Sequence, residues 1–196
     1  MRIVLRLFSL WVKLAALIYG GEGINIPLMF MPTRGIALTL SRYGATMGKR
    51  VRFRSPLTIH NSAIDTSSYY QNLSIGDDCY FGRELLLDLQ DQILIENNVT
   101  LSHRVMILTH TDAGTSWHKD AYIPTTQAPV IIRRGAYIGA QVTILQGVEI
   151  GEGAIVGAGA LVRKSIPPFS VALGVPAVVT KTLPTHYPIE LVGEKR

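Results

Sequence analysis

The sequence has one cysteine, few charges and no long uncharged apolar run, and each shortage excludes a class of protein. The single cysteine, Cys79, cannot form an internal disulfide and fits a reducing compartment. Charged residues make up only 17% of the 196 residues while 47% are hydrophobic, which excludes a disordered chain. The net charge of +5 comes from dispersed basic residues, which argues against nucleic-acid binding.

The first residues, MRIVLRLFSLWVKLAALIYGG, are apolar but contain no stretch that could span a bilayer. The longest charge-free run, residues 14–21, is much shorter than the roughly 20 apolar residues of a membrane-spanning helix. Arg2, Arg6 and Lys13 fall on one stripe of a helix, with apolar residues around the rest. Residues 1–20 therefore predict a helix that lies on an anionic membrane surface, packs on the core or a partner subunit, or is a cleaved signal.

From Ile132 onward the sequence repeats every six residues, as IRRGAY, IGAQVT, ILQGVE, IGEGAI, VGAGAL and VRKSIP. The first residue of each hexad is β-branched and the fifth is mostly small. A period of six fits neither a helix nor a simple alternating strand. It fits a flat face that turns by about 120° every six residues, so that three hexads form one triangular coil and the coils stack by parallel strand pairing.

The same phase continues upstream, which sets the expected domain organisation. Apolar residues six apart occur at Ile75, Phe81, Leu87, Ile95, Leu101 and Ile107, with a two-residue slip in DLQDQ. The next step, from Ile107 to Ile132, is 25 residues, so a long loop at 109–130 is inserted into the repeat. We expect a helical segment over 1–45 with a second short helix near 36–43, a β-helix over 46–175, and a C-terminal tail over 176–196.

The repeats and the closing ALGVPAVV resemble the hexapeptide-repeat acyltransferases, most closely the sugar O-acetyltransferases of the galactoside and maltose acetyltransferase group. The resemblance covers about residues 46–182 and implies an all-β repeat fold, the left-handed parallel β-helix. It also implies acetyl-CoA as co-substrate, no metal, and a homotrimer with active sites between subunits. The expected acceptor is a sugar or polysaccharide precursor in bacterial surface-polysaccharide biosynthesis, in the cytoplasm or at the cytoplasmic face of the inner membrane.

His110, in ILTHTD, matches the family's histidine that takes the proton from a sugar hydroxyl as this hydroxyl attacks the thioester. An imidazole, whose unperturbed pKa is about 6.5, suits this step at neutral pH. The other ring nitrogen needs an acceptor, and Asp112, Glu84, Asp88 and a backbone carbonyl are the candidates. The family places a backbone N–H that stabilises the developing oxyanion at the position of Ala140.

The resemblance also assigns binding positions. The expected coenzyme A contacts are Tyr137, Ala140, Ala158, Arg163, Lys164 and Lys181, and the expected acceptor contacts are Glu84, Asp88, Trp117 and His118. Two positions depart from the relatives. Glu84 replaces a sugar-binding asparagine of the galactoside enzymes, so the sugar contacts of that branch are not carried over unchanged. Val178 replaces an arginine seen in relatives, so the affinity or the pose of coenzyme A at that end is not carried over either.

Three other functions stay open at this point. The acceptor could be a serine or an antibiotic, with acetyl or a longer acyl donor, or the β-helix could be a non-catalytic assembly module. A γ-type carbonic anhydrase would hold zinc with three histidines. The available histidines are His60, His103, His110 and His118, but their spacing does not match that family's ligands.

Overall fold

A computed structural model describes residues 2–20, 22–61 and 68–185. Within these ranges, helices α1 (Arg2–Tyr19), α2 (Glu22–Leu28) and α3 (Thr33–Arg42) precede nineteen short strands. The last part of the expected C-terminal tail, from residue 186, lies outside the described residues.

Seventeen of these strands form three sheets, which are the three faces of a prism. Face 1 consists of β1 (Thr46–Met47), β4 (Leu73–Ile75), β7 (Ile93–Ile95), β12 (Val130–Ile132) and β15 (Glu149–Ile150). Face 2 consists of β2 (Arg52–Phe53), β5 (Tyr80–Phe81), β8 (Thr100–Leu101), β13 (Tyr137–Ile138), β16 (Ile155–Val156), β18 (Ser170–Leu173) and β19 (Val178–Thr182). Face 3 consists of β3 (Leu57–His60), β6 (Leu85–Asp88), β9 (Met106–Ile107), β14 (Thr143–Ile144) and β17 (Leu161–Val162). The remaining strands, β10 (His110–Thr111) and β11 (Thr126–Gln127), form a separate hairpin.

The chain visits faces 1, 2 and 3 in turn, so each strand pairs in parallel with the equivalent strand of the next coil. In this register Leu101, Ile138 and Val156 lie side by side on face 2, and all three are buried. The predicted inward column of the hexads therefore forms the core. The stacked parallel faces are consistent with the predicted left-handed β-helix.

The three helices cover the open end of the first coil. Their buried side chains join the core of the prism, and they include Val12, Ile24, Leu28, Ile36 and Leu40. The cover protects the edge strands of the first coil, which would otherwise offer unpaired backbone groups to other chains. The helix expected near 36–43 begins earlier, at Thr33, and ends at Arg42. None of the described helices has both the length and the apolar character needed to cross a bilayer.

The end of the β-helix lies further along the chain than the sequence indicates. Strand β19 lies within the expected C-terminal tail, but it pairs antiparallel with β18 and extends face 2. The pairing contains a register shift between Val171 and Ala172. A reversed strand with such an irregularity has no hexad phase, which explains why the repeat does not reveal it.

Candidate active site

The departures from the six-residue period all lie at one corner of the prism. We name it the insertion corner: the place where the chain passes from face 3 back to face 1. In the last two coils the passage is short, at residues 145–148 and at residues 163–165, where Ile166 returns to face 1 by a bridge to Ile150. In the first three coils it takes residues 61–72, 89–92 and 108–129. Where the structure describes them, the insertions contact one another: Asn72 Nδ2 donates to Leu89 O, and Asp91 N donates to Thr109 Oγ1. Distant parts of the sequence therefore meet at this corner.

The third and longest insertion leaves the prism as an antiparallel hairpin. His110 pairs with Gln127, and Thr111 pairs with Thr126. At its base the Ala128 N–H donates to the carbonyl oxygen of Thr109 over 2.9 Å. His110 is consequently the first residue to leave the prism, and its backbone is held by the hairpin.

The next coil braces this hairpin through Gln146. Its Nε2 donates to Thr126 Oγ1 over 2.7 Å and to Thr111 Oγ1 over 3.3 Å. The side chain reaches both strands of the hairpin, so the loop is anchored on the rigid part of the repeat. This anchoring fixes the backbone that carries His110.

Asp88, the last residue of β6, is a carboxylate with only 1% of its surface exposed. Its Oδ2 lies 2.6 Å from His110 Nδ1 and accepts the Thr109 N–H over 2.8 Å. Its Oδ1 accepts a hydrogen bond from Asn61 Nδ2 over 2.8 Å. Burial acts to raise the pKa of Asp88, but the hydrogen bonds from His110, Asn61 and Thr109 outweigh it and the pKa is lowered. Asp88 is therefore an ionised, buried anchor.

The ionised carboxylate determines the tautomer of His110. A carboxylate only accepts hydrogen bonds, so Nδ1 carries the proton that faces Asp88, and in the neutral ring Nε2 keeps its lone pair. The side chain of His110 is 23% exposed, whereas that of Asp88 is 1% exposed. The arrangement gives a positioned imidazole that can accept a proton at Nε2.

Asn61 completes the cluster and was not anticipated from the sequence. Besides its bond to Asp88, its Nδ2 lies 3.4 Å from each ring nitrogen of His110. It directly follows β3, whose His60 is in register with Asp88 on β6. The only signal that could have found it is this parallel register, because residue 61 precedes a stretch without periodicity.

Two of the predicted partners of His110 are corrected by the structure. Asp112 accepts hydrogen bonds from Gly114 N over 2.9 Å and Thr125 Oγ1 over 3.2 Å, and it pairs with Lys119 Nζ at 3.1 Å. These contacts close the inserted loop on itself. The backbone hydrogen bond from Gly114 and the bond from Lys119 lower the pKa of Asp112.

Glu84 lies at the opposite end of face 3 from the imidazole. It precedes β6, whereas Asp88 ends that strand, so the two are separated by about 13 Å of extended chain. Its carboxylate accepts a hydrogen bond from Arg104 Nε over 2.6 Å. Glu84 is half exposed and open to other ligands. The expected acceptor contact from Asp88 is also corrected, because that carboxylate is buried and already bonded.

Ala140 and Ala158 lie at the corner between faces 2 and 3, which we name the alanine corner. They are stacked, since Gly159 N donates to Ala140 O over 2.8 Å. No acceptor for either alanine N–H is found among the described residues, so both are free donors. The close approach requires Gly139, because a Cβ there would lie 2.6 Å from Ala158 N.

The other predicted binding residues lie on face 2, at the insertion corner of the last coil and in the inserted loop. Tyr137 is exposed on face 2, and Lys181 lies on β19 at the end of that face. Arg163 and Lys164 are exposed at the insertion corner of the last coil. In the inserted loop Trp117 is 97% exposed, and the ring of His118 packs against Tyr122 at 5.9 Å. Across the described part of the chain, no three acidic, histidine or cysteine side chains converge in a way that could hold a metal ion.

Comparison with known proteins identifies relatives by sequence. The model of the bacterial transferase hexapeptide (six repeats) matches residues 129–164. A serine acetyltransferase of Buchnera aphidicola is 31% identical over 136 residues, which cover 69% of this chain but 48% of the relative. The chain thus spans about half the length of that relative. WcaF of Escherichia coli K12, which is named as a colanic acid biosynthesis acetyltransferase, is 29% identical over 145 residues. These residues cover 74% of this chain and 73% of WcaF.

Solved structures share the fold. A galactoside acetyltransferase in complex with coenzyme A matches with a TM-score of 0.71 at 24% identity, over 90% of this chain and 86% of the other. A maltose O-acetyltransferase from Clostridium difficile matches with a TM-score of 0.69 at 23% identity, over 91% of this chain and 89% of the other. The predicted resemblance to hexapeptide-repeat acetyltransferases, and the repeat itself, are confirmed.

Proposed function

We propose, from the hexapeptide repeat and the acetyltransferase fold of this chain, that it is an acetyl-CoA-dependent O-acetyltransferase acting on a sugar hydroxyl. One observation carries the proposal: a partly exposed imidazole is bound through Nδ1 to a buried carboxylate at 2.6 Å. The names of its relatives support the acceptor class, since they include galactoside and maltose acetyltransferases and a protein of colanic acid biosynthesis. Bacterial surface-polysaccharide biosynthesis is the proposed context.

The geometry supports a single transfer step. His110 Nε2 accepts the proton of the acceptor hydroxyl while the hydroxyl oxygen bonds to the acetyl carbon of the thioester. The Ala140 N–H donates to the carbonyl oxygen as negative charge develops on it. When the carbon–sulfur bond breaks, His110 gives its proton to the departing sulfur. Asp88 does not touch the reactants; it holds the tautomer and stabilises the transient imidazolium.

Acetyl-CoA supplies the activated acetyl group, and the predicted contacts suit its parts. The free N–H of Ala158 fits the amide groups of the pantetheine arm, and Tyr137 offers an exposed ring beside it. Arg163, Lys164 and Lys181 are cations that suit the phosphates of coenzyme A. In the same proposal Trp117, His118 and Glu84 contact the acceptor.

The separation of the two corners supports the homotrimer in this proposal. His110 lies at one edge of face 3 and Ala140 at the other, about 20 Å apart across six extended residues. One thioester therefore cannot meet both groups of a single chain. We propose that the insertion corner of one subunit faces the alanine corner of the next.

Mixed oligomers test this arrangement. Ala140→Pro removes the N–H donor and His110→Ala removes the base, so each variant alone should be inactive. Co-assembled in equal amounts, they should regain about one quarter of wild-type turnover, because about one shared site in four then combines an intact His110 with an intact Ala140. Sedimentation of a fully active monomer, or no recovery in the mixture, would overturn the shared site.

The proposed location is the cytoplasm, at the cytoplasmic face of the inner membrane. Acetyl-CoA and nucleotide-linked sugars are cytosolic, and α1 exposes both apolar side chains and the cations Arg6 and Lys13. Cell fractionation of the full chain checks this: the protein should sediment partly with membranes and be released by high salt.

The reaction is tested by acetyl-CoA turnover on a panel of acceptors. Galactosides, maltose and nucleotide-linked sugars should accelerate release of the coenzyme A thiol, and His110→Ala should abolish the acceleration. L-serine belongs in the panel because the Buchnera relative is a serine acetyltransferase. Turnover with serine alone would replace the sugar by that acceptor, and no turnover with any acceptor would favour an assembly module.

A further inference from the structure

A strongly basic cleft lies where the helices cover the first coil, away from the proposed active site. Its volume is about 650 Å³. The lining residues are Thr33, Arg34, Arg50, Val51, Arg52, Arg54 and Asp78. Among the residues that the structure describes, four guanidinium groups therefore share the cleft with one carboxylate, and none of the four has a part in the proposed acetyl transfer.

The one carboxylate is already bound. Arg50 forms a two-pronged pair with Asp78, with Nε–Oδ1 at 2.5 Å and Nη2–Oδ2 at 2.6 Å. The hydrogen bond from Arg50 lowers the pKa of Asp78 against the opposing effect of burial. Among the described residues Arg54 has no ion-pair partner. The cleft keeps an excess of positive charge that an anion would neutralise, and arginine forks match phosphate oxygens well.

An apolar surface continues directly from this cleft. Thr33 and Arg34 also line a neighbouring depression of about 380 Å³, whose other walls are Val4, Leu5 and Pro32. Leu5 in turn lines the groove between α1 and α3, of about 260 Å³. A soluble phosphate compound would occupy the basic cleft and leave the apolar walls in water, whereas an amphiphile would occupy both.

Helix α1 extends the apolar surface over its whole length. Ile3, Leu7 and Leu17 are exposed, and Phe30 beyond the end of α2 is exposed as well. Contiguous apolar surface of this kind marks an interaction site. No acidic residue occurs before Glu22, so the surface is apolar and cationic together, which suits an anionic bilayer surface.

We propose that the arginine cleft binds the phosphate groups of anionic phospholipids at a membrane surface, while the exposed side of α1 enters the interfacial layer. The first coil then faces the bilayer, and the stacked coils rise from it. This inference adds a specific binding site to the proposed membrane location. It rests on that part of the proposed function alone. It does not depend on the identity of the acceptor.

Vesicle co-sedimentation of the full chain tests the proposal. Vesicles of phosphatidylcholine with about one third phosphatidylglycerol should bind the protein, and pure phosphatidylcholine should bind it far more weakly. The double variant Arg52→Gln/Arg54→Gln should bind the anionic vesicles about twentyfold more weakly. The matched control, Arg83→Gln/Arg134→Gln, removes the same charge from exposed positions elsewhere on the prism and should change binding less than about threefold.

Each other outcome overturns the cleft as a headgroup site. Equal weakening by both double variants would mean that only net charge matters. Tight binding of inorganic phosphate that depends on Arg52 and Arg54, without vesicle binding, would assign the cleft to a soluble anion. Failure of the proposed reaction is seen separately, because acetyl-CoA turnover with a soluble acceptor is measured without vesicles and should be unchanged in Arg52→Gln/Arg54→Gln.

Discussion

The insertion corner of the first three coils differs from the same corner in the last two, although all five share the same faces and core. In the last two coils the corner is short, and the inward apolar residues on both sides of it are buried. In the first three coils the corner is longer, and it holds the buried Asp88 together with Asn61 and His110. Regular hexads make a rigid frame, and the interrupted hexads carry polar groups that this frame positions.

The polar groups at the interrupted corner depend on one another. A buried carboxylate is costly unless it is hydrogen-bonded, and here the first and third coils supply donors to Asp88 of the second coil: Asn61 from the first, and Thr109 and His110 from the third. Residues from three successive coils thus form one cluster. The comparison predicts that changes at the interrupted corner reduce activity, while changes in the regular coils reduce stability.

The largest effect on activity is expected from His110→Ala. Loss of the base should lower kcat about a thousandfold, with only a small change in the melting temperature. The measurements are acetyl-CoA turnover and thermal unfolding. Near wild-type turnover in His110→Ala would contradict the division between frame and site.

The reverse effect is expected from Ile144→Ala in the fourth coil. Ile144 is fully buried, so truncation should lower the free energy of unfolding by about 3 kcal/mol. Turnover per folded molecule should remain near wild type at low temperature. Chemical denaturation measures the loss, and Ile144→Val, which removes one methyl group, should lower the free energy of unfolding by about 1 kcal/mol. A catalytic defect without destabilisation would show that the regular coils do more than support.

Asp88→Asn should give an intermediate loss of activity. The amide has the same shape but can donate towards Nδ1, which favours the wrong tautomer of His110, so kcat should fall about a hundredfold. Because Asp88 does not contact the reactants, KM for the acceptor should hardly move. Asp112→Asn is the control, and it should change kcat by a few-fold at most. An equal loss of kcat in the two variants would mean that Asp112 also supports His110.

The smallest effect concerns pH. The folded-state pKa of Asp88 is below its unfolded value of about 3.9. The stability that this carboxylate contributes is therefore present above that value and is lost as pH falls through the folded pKa. Urea unfolding between about pH 2.5 and 6 should show a steeper loss of stability in the wild type than in Asp88→Asn below pH 4. Parallel curves would mean that the Asp88 cluster contributes no pH-linked stability.

The frame could be predicted because its cause is local. Every face places its first hexad residue inward, so the column from Ile132 to Val162 is visible as a period of six, and the loss of that period indicated where His110 leaves the prism. The partner of His110 could not be predicted in this way. The slip in DLQDQ shows that extra residues are present, but only the register between coils decides that Asp88, rather than Glu84 or Asp112, meets the ring.

The ends of the chain were less predictable for a related reason. Helix α2 contains Pro27, which conceals a helical pattern, and β19 lies outside the repeat. In both places tertiary packing, rather than periodicity, decides the structure.

The hydrogen bond from Ala128 to Thr109 closes the base of the hairpin. Beyond its two strands, the rest of the inserted loop is therefore structurally separate from the prism. Since each coil pairs only with its neighbours and Gln146 holds Thr111 and Thr126, residues 112–125 can be exchanged for another loop without changing the register of any strand on the three faces. Such an exchange would leave His110, Asp88 and the two alanine donors in place while it replaced Trp117 and His118. One frame could in this way be adapted to different acceptors by substituting a single segment of chain.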